Sequence, residues 1–278
     1  MGGAMRAEIL KLRRRPAFWI LASLVLVTLV LFGYLFTWLF IVRGVGGEDV
    51  QVADADQFLR LLLPAEFVGA TVSSLSGLGA ALALILGALA VGSEYGWRTV
   101  KTIAVQRPSR LGLAAGKVAG IAVLVLAIAL AALLLALLAS LAVAAAEGES
   151  LALPGAGRVL AGIGAAWLLL MVWTAVGMLL AALFRGTGLA IGLGLVYVLL
   201  VEQILLALPL PERIADVLAA VMIGANGTAL AEGLADASTT QGLGFDPVGA
   251  GQATLVLLAY LVGSLALAAL LFRRRDIA

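Results

Sequence analysis

Six long apolar runs divide the chain, and stretches rich in charged residues separate them. Each run has about 20 or more residues, whereas the strands of a membrane barrel alternate apolar and polar residues over about 10. The pattern predicts six membrane-crossing helices: residues 17–42, 67–91, 118–146, 159–184, 189–208 and 253–272. The expected fold class is therefore all-α, a polytopic membrane protein whose single transmembrane domain covers residues 1–278.

Residues 1–16 precede the first run with an amphipathic pattern. Met5, Ile9 and Leu12 recur at helical spacing among five basic residues, so one face can sink into the membrane interface while the cations meet anionic headgroups. This pattern predicts an N-terminal interfacial helix. A plain basic anchor that only fixes topology is the alternative.

Residues 209–252 separate the fifth and sixth runs. They contain a semi-apolar segment at 214–225, which at about 12 residues is too short to cross a bilayer. We expect short helices here that lie on the outer leaflet or dip into it as re-entrant helices, and a plain surface loop is the alternative.

Glycines recur at four-residue spacing in two of the runs. Gly112, Gly116 and Gly120 lie where the third run begins, and Gly188 and Gly192 lie in the fifth. Such pairs let helix backbones approach closely. We expect them to mark tight packing within the bundle rather than a specific seam between two copies.

The charged residues divide unevenly between the two sides that six crossings define. Segments 1–16, 92–117, 185–187 and 273–278 hold fourteen cations and three acids, whereas segments 43–66, 147–158 and 209–252 hold four cations and twelve acids. Cytoplasmic loops carry the excess of Lys and Arg, so the first group and both termini are predicted to be cytoplasmic. Fifteen Arg against three Lys fits a GC-rich bacterial genome, and we expect a bacterial cytoplasmic membrane.

The composition excludes several kinds of chemistry. The chain is 63% hydrophobic and only 12% charged, whereas soluble domains are roughly a quarter charged. The sequence has no Cys and no His, which removes thiol catalysis, disulfides and imidazole metal sites. We therefore expect no enzyme activity, no metal and no cofactor in this chain, and no nucleic-acid partner.

Residues 112–117 (GLAAGK) resemble a phosphate-binding loop only at first sight. Three residues separate the glycines where the loop needs four, and Val118 follows the lysine where Ser or Thr is required. The segment also leads into a membrane helix without a preceding strand. We expect no nucleotide site here, so that any ATP and Mg²⁺ would be bound by a partner subunit.

The most basic interruption lies between the second and third runs, over residues 92–117. It holds five cations against one acid, Glu94. Residues 94–104 contain few helix breakers, so they can form a short helix along the inner face of the membrane. A solvated basic loop with an aromatic anchor is the alternative interpretation.

The same loop carries a family resemblance. Residues 94–101 (EYGWRTVK), then 107–110 (RPSR), then Gly116-Lys117 at the start of a span resemble the permeases of type-2 ATP-binding-cassette (ABC) exporters. The basic segment before the first span and the terminal FRRRD at 272–276 are similar too. The resemblance implies a coupling helix that docks into a separate ATPase subunit, with these docking candidates: Glu94, Tyr95, Trp97, Arg98, Thr99 and Lys101. It also implies a dimer with a second copy or a related permease.

Glu202 is the one acid placed well inside a predicted span. A carboxylate within the membrane is costly, so it marks either function or a paired structural contact. We treat it as a candidate for the substrate path. The alternative is that it reaches the outer interface or forms hydrogen bonds within the bundle.

The expected function is the transmembrane permease subunit of an ATP-driven ABC exporter. Two alternatives from other classes stay open: a secondary transporter or channel that is not driven by ATP, and a structural membrane subunit that transports nothing. The first would need ionisable groups at mid-membrane, and only Glu202 comes near that position.

Overall fold

The structure is a computed structural model that describes residues 2–44, 55–96, 110–209, 211–235 and 249–274. Over these ranges the chain is helical with short connections and contains no strand. Its α-helices in chain order are α1 Gly2–Arg13, α2 Pro16–Val30, α3 Ala55–Leu62, α4 Phe67–Ser74, α5 Ala80–Gly96, α6 Arg110–Glu147, α7 Ala156–Phe184, α8 Thr187–Val196, α9 Glu202–Ala207, α10 Glu212–Val221, α11 Ile223–Glu232 and α12 Ala250–Arg274. The all-α prediction is confirmed.

The six predicted crossings are confirmed as six long apolar helical segments, which we call spans one to six. They are Pro16–Val42, Phe67–Glu94, Ala114–Glu147, Ala156–Phe184, Thr187–Leu205 and Ala250–Leu271. The shortest has 19 residues, close to the roughly 20 that a bilayer requires. Span two joins α4 to α5, span five joins α8 to α9, and the others contain α2, α6, α7 and α12 in turn.

Three spans contain π-helical turns. Span one passes through two of them, at Leu31–Leu35 and Thr37–Val42. Span two bends at Gly77, whose backbone leaves the helical region (φ −88°, ψ −105°) inside the turn Leu75–Gly79. Span five contains the turn Tyr197–Val201. Kinks of this kind occur at Gly/Ser pairs and π-bulges, and Ser76 precedes Gly77 here.

Spans two and four form the centre of the bundle, where α5 crosses α7 at backbone contact. A Cβ atom on Gly87 would overlap the backbone carbonyl of Thr174, and one on Gly177 would overlap the backbone carbonyl oxygen of Leu84. One glycine on each helix thus allows the two backbones to approach at the same crossing. Lipid tails are as apolar as the side chains, so close packing of this kind holds membrane helices together.

The connection between spans five and six contains two short helices that meet at an angle of 83°. The buried side-chain amide of Asn226 in α11 donates to the carbonyl oxygens of Ala219, Ala220 and Met222, at 2.7 to 3.2 Å. It thereby satisfies carbonyls at the end of α10, which the helix itself leaves without partners. The expected short helices are present as α10 and α11, and their depth in a membrane stays a prediction.

Unlike a surface loop, α11 packs into the bundle. Ile223, Asn226, Ala229 and Leu230 are buried, and the helix contacts spans two, four and six. It is therefore an integral part of the packing at the end of the molecule where span six begins.

The two sets of spaced glycines behave differently. Gly116 and Gly120 contact α1, so the prediction of packing within the bundle is confirmed for them. Cβ atoms on Gly188 and Gly192 would meet nothing within 4 Å. Within the part of the chain that the structure describes, the prediction is wrong for these two glycines, because this face of α8 contacts no other helix there.

Replacing Gly87 or Gly177 with Ala should destabilise the protein, since the added methyl group forces α5 and α7 apart. We expect a loss of about 1–3 kcal/mol, the range for overpacked cores, seen as a lower thermal unfolding midpoint of the detergent-purified protein. Gly263→Ala is the matched control, because a Cβ atom there meets nothing within 4 Å. Equal midpoints for Gly87→Ala and the control would contradict this account of the crossing.

Candidate functional site

Helix α1 lies directly against the beginning of α6. A Cβ atom on Gly116 would overlap the Cβ atom of Ala4, and one on Gly120 would lie 3.0 Å from the Cβ atom of Glu8. Two glycines one helical turn apart therefore form a flat strip on which α1 rests. The amphipathic pattern at the start of the sequence thus corresponds to a helix, and Leu12 on its apolar side is buried.

A cluster of four charged residues, the charge cluster, ties three helices together at this end of the bundle. Lys11 of α1 lies 2.6 Å from the carboxylate of Glu8 and 2.7 Å from that of Glu94 at the end of α5. Lys117 of α6 lies 2.5 Å from the same Glu94 carboxylate. Glu94 thus joins α1, α5 and α6.

The charge cluster is largely shielded from solvent. The side chains of Glu94 and Lys117 are 12% and 11% exposed, and that of Lys11 is 26% exposed. Removing one partner of a buried pair leaves a charge without compensation, which costs more than the pair contributes. The cluster therefore makes the three helices depend on one another.

A second polar contact reinforces the same end. Arg15, at the junction of α1 and α2, donates from Nη1 to the Ser93 hydroxyl oxygen at 2.8 Å. Ser93 precedes Glu94 in α5. The last turns of span two therefore contact α1 through Lys11 and the α1–α2 connection through Arg15.

The helices extend further into the predicted coupling loop than its boundaries of 92 and 117 indicated. Helix α5 continues to Gly96, and α6 begins at Arg110. Glu94 and the backbone of Tyr95 thus belong to the last turn of α5. Residues 112–117, which resemble a phosphate-binding loop, lie in the first turns of α6.

The structure describes only some of the six predicted docking residues. Trp97, Arg98, Thr99 and Lys101 lie outside the described residues, as does most of the short helix expected over 94–104. Glu94 is described, and its carboxylate faces the two lysines of the charge cluster. A docking role for the six stays a prediction, and the geometry adds a structural role for Glu94.

Lys11 and Lys117 were not singled out from the sequence as partners of Glu94, nor was Glu8 as a partner of Lys11. A signal was present, because Glu94 ends one apolar run and Lys117 begins the next. Neighbouring antiparallel spans place such residues at the same membrane depth. Opposite charges at equal depth predict a pair, but periodicity does not tell whether the two side chains face each other.

Glu202 is almost fully buried, at 1% exposure, and contacts the beginning of α11. Its carboxylate accepts a hydrogen bond from the backbone N–H of Gly224 and interacts with that of Ala225. A helix N-terminus leaves N–H groups without partners and favours negative charge. The carboxylate therefore has a partner within the bundle, and a role in a substrate path stays a prediction.

Gly224 is matched to this contact. A Cβ atom at this position would lie 2.8 Å from the carboxylate of Glu202, closer than packed side chains come. The acid on span five and the glycine on α11 thus form a fitted pair that sets where α11 begins. On the other side of the 83° bend, the side chain of Asn226 binds carbonyls at the end of α10. Both helices that meet at the bend therefore have a polar partner.

The fold and the charge cluster together define a polytopic helical membrane protein, one end of which is basic and is held together by ion pairs. Among the described residues no group of three or more acidic side chains is placed to hold a metal ion. The chain belongs to the ABC-2 family of transporter proteins: the sequence model of the ABC-2 family transporter protein matches residues 4–201. It is thus a permease component of an ABC transporter, in a family that partners with ABC ATPase subunits.

The matched region runs from α1 to the end of the π-helical turn in span five. It includes the whole charge cluster, whereas Glu202, α10, α11 and span six follow it. No curated protein sequence matches the chain significantly.

Replacing Glu94 with Gln should loosen α1 from the bundle, because Lys11 and Lys117 then lose their shared carboxylate. We expect a loss of about 3 kcal/mol, as for other pairs broken in a largely buried setting. The readouts are the unfolding midpoint and the rate of tryptic cleavage at Arg13 and Arg14, which should rise as α1 detaches.

Glu147→Gln is the matched control for this change. Glu147 pairs with Arg43, whose side chain is 48% exposed, so the same substitution should lower the midpoint less and leave tryptic cleavage unchanged. Identical behaviour of the two variants would count against the structural role assigned to Glu94.

Replacing Glu202 with Ala should destabilise the protein by about 1–3 kcal/mol, since it removes the acceptor from buried backbone N–H groups. Glu202→Gln, which keeps one carbonyl acceptor, should lose less. Gln203→Ala is the control, because Gln203 is the neighbouring residue and is exposed. An unfolding midpoint for Glu202→Ala equal to that of the control would refute the contact with α11.

Proposed function

We propose that this chain is the permease subunit of an ATP-driven exporter, which forms the substrate path and couples to a separate ATPase subunit through the connection between spans two and three. The observation that carries the proposal is the charge cluster. It ties both helices that flank this connection to the N-terminal helix of a chain that belongs to the ABC-2 transporter family.

The mechanism starts at residues 94–101. ATP and Mg²⁺ bind to the partner subunits, whose closure pushes on this connection. Glu94 at its beginning and Lys117 beyond its end are paired, and Lys11 adds α1 to the same cluster. Force on the connection therefore moves α1, α5 and α6 as one body.

The motion then reaches the centre of the bundle through the crossing of α5 and α7. Because backbone contacts backbone at Gly87 and Gly177, the crossing leaves little room for side chains to yield. Span four must follow span two. This supports a rearrangement of rigid bodies between two access states.

The sidedness follows from charge. In this proposal the end that carries α1 and the charge cluster faces the cytoplasm of a bacterium, because basic segments are retained on that side. Helices α10 and α11 then lie toward the outer surface. Export is the direction that the resemblance to type-2 exporters implies.

Span two can line the path only at its kink. Most of the span is buried against span four, but Ser73, Gly77 and Leu78 are exposed. These three residues are the exposed part of the bent segment, and we assign them to the substrate path. Glu202 on span five is a further candidate, through its hold on α11.

A second permease, identical or related, completes the transporter in this proposal. The open face of α8 supports a seam along span five, since Cβ atoms on Gly188 and Gly192 would meet none of the described residues within 4 Å and Leu189 and Leu193 beside them are exposed. Small residues at this spacing permit close approach of two helices.

The dimer seam is open to a direct test, because the chain has no native Cys. Gly192→Cys should form a disulfide-linked dimer in membranes under oxidation. Val123→Cys, exposed on span three, should stay monomeric. Absence of the Gly192→Cys dimer, or equal cross-linking of both variants, would contradict a seam between two identical copies on this face.

The coupling proposal is tested by separating docking from helix packing. Arg98→Ala combined with Lys101→Ala should abolish co-purification with the partner ABC ATPase subunit and ATP-dependent transport, while the unfolding midpoint stays unchanged. Glu94 is left intact, because its replacement would disturb the charge cluster. Arg60→Ala combined with Arg213→Ala removes two exposed cations at the opposite end and is the control.

Three outcomes would overturn the proposal. They are wild-type transport in the Arg98/Lys101 variant, equal losses in the control, and transport by the purified chain without any ATPase subunit. The last would favour a secondary transporter or channel, whose activity survives depletion of ATP.

A further inference from the structure

A cavity of about 520 Å³ lies between spans four and six and the end of α11. Its wall comes from the first half of α7, the last turns of α11 and the first turns of α12. It is therefore at the end of the bundle away from α1 and the charge cluster. Ligand cavities in proteins measure about 300 to 1,000 Å³, so the size is that of a binding site.

The described lining offers no free polar side chain. It is made of Ala, Gly and Leu residues together with Trp167 and Thr254. The indole N–H of Trp167 donates to the carbonyl oxygen of Ala122 at 3.1 Å, and the Thr254 hydroxyl donates to that of Ala250 at 2.8 Å. A stable water needs two to four polar partners, so hydrocarbon suits this cavity better than water.

The cavity is open at the surface between spans four and six. Ala161 and Gly164 on span four and Gly251 and Leu258 on span six line it and are exposed at the surface. In a bilayer this opening faces lipid. Lining atoms left without neighbours would forfeit their dispersion contacts, and the solvent at the opening consists of acyl chains.

We propose that this cavity binds one acyl chain of a membrane phospholipid, which enters laterally between spans four and six. An engineered cavity of about 150 Å³ lined by apolar side chains binds benzene, and this one has room for a longer hydrocarbon. The bound chain fills the space beside Leu230 of α11 and Leu234 in the turn after it, and so supports the helix that Glu202 holds at its other end. This site stands apart from the proposed transport.

Two glycines in the wall give a clean way to close the site. Cβ atoms on Gly164 and Gly251 would meet nothing within 4 Å, so a larger side chain can enter the cavity without displacing a neighbour. Gly164→Phe and Gly251→Leu are therefore expected to fold and to fill the cavity. Gly263→Phe is the matched control, on the same span as Gly251 but outside the lining, with equally open space.

The experiment uses the full chain purified in detergent and a phosphatidylcholine with a photoactivatable diazirine in its acyl chain, supplied in trace amount. After irradiation, adducts are mapped by mass spectrometry. We expect adducts on residues 161–168 and 250–258 that excess unlabelled phosphatidylcholine removes. Gly164→Phe and Gly251→Leu should lose them, whereas Gly263→Phe should keep them, with unfolding midpoints compared for all variants.

The proposal is overturned if the adducts at these two segments are not removed by excess phosphatidylcholine, which would indicate another apolar ligand or none. It is also overturned if either filled variant, folded by its unfolding midpoint, keeps the adducts at the wild-type level. Gly164→Phe and Gly251→Leu are independent substitutions. If one of them fails to fold, the adducts on the other still test the proposal.

Discussion

The crossing of α5 and α7 is the contact on which the other helices are arranged. In a bilayer, apolar side chains gain nothing by leaving lipid for protein, so helices associate where their backbones come close. Gly87 and Gly177 make that approach possible from both sides of one crossing. Spans two and four are accordingly the most buried of the six, and spans one, five and six face outward.

The charge cluster adds a specific tie at one end of this centre. Glu94 lies in the last turns of α5, the helix that crosses α7, and it is paired with lysines from two other helices. Because these ion pairs are mostly shielded from water, solvent screens them little, and breaking one of them leaves a charge without compensation. The proposed coupling through the connection between spans two and three requires such a tie, since an unattached loop would yield to force without moving the spans.

The opposite end is organised by polar groups that complete the ends of short helices. Glu202 accepts from the beginning of α11 and Asn226 donates to the end of α10. Backbone groups left unsatisfied in lipid cost several kcal/mol, so a sharp bend within the bundle requires such partners. The ABC-2 family match ends just before Glu202, and this bend belongs to the part of the chain that follows it.

The sequence alone determined the number of crossings, the all-α class and the unequal distribution of charge, because each depends on local composition in a lipid solvent. It also placed the amphipathic α1 and a polar contact for Glu202 among the expectations. The tertiary structure decided which groups are the partners of Glu94 and Glu202. It also decided the direction in which each pair of spaced glycines faces. Gly116 and Gly120 support α1, whereas Gly188 and Gly192, at the same spacing, face outward. Spacing within a helix is local, but the rotation of that helix about its axis is set by segments distant in sequence.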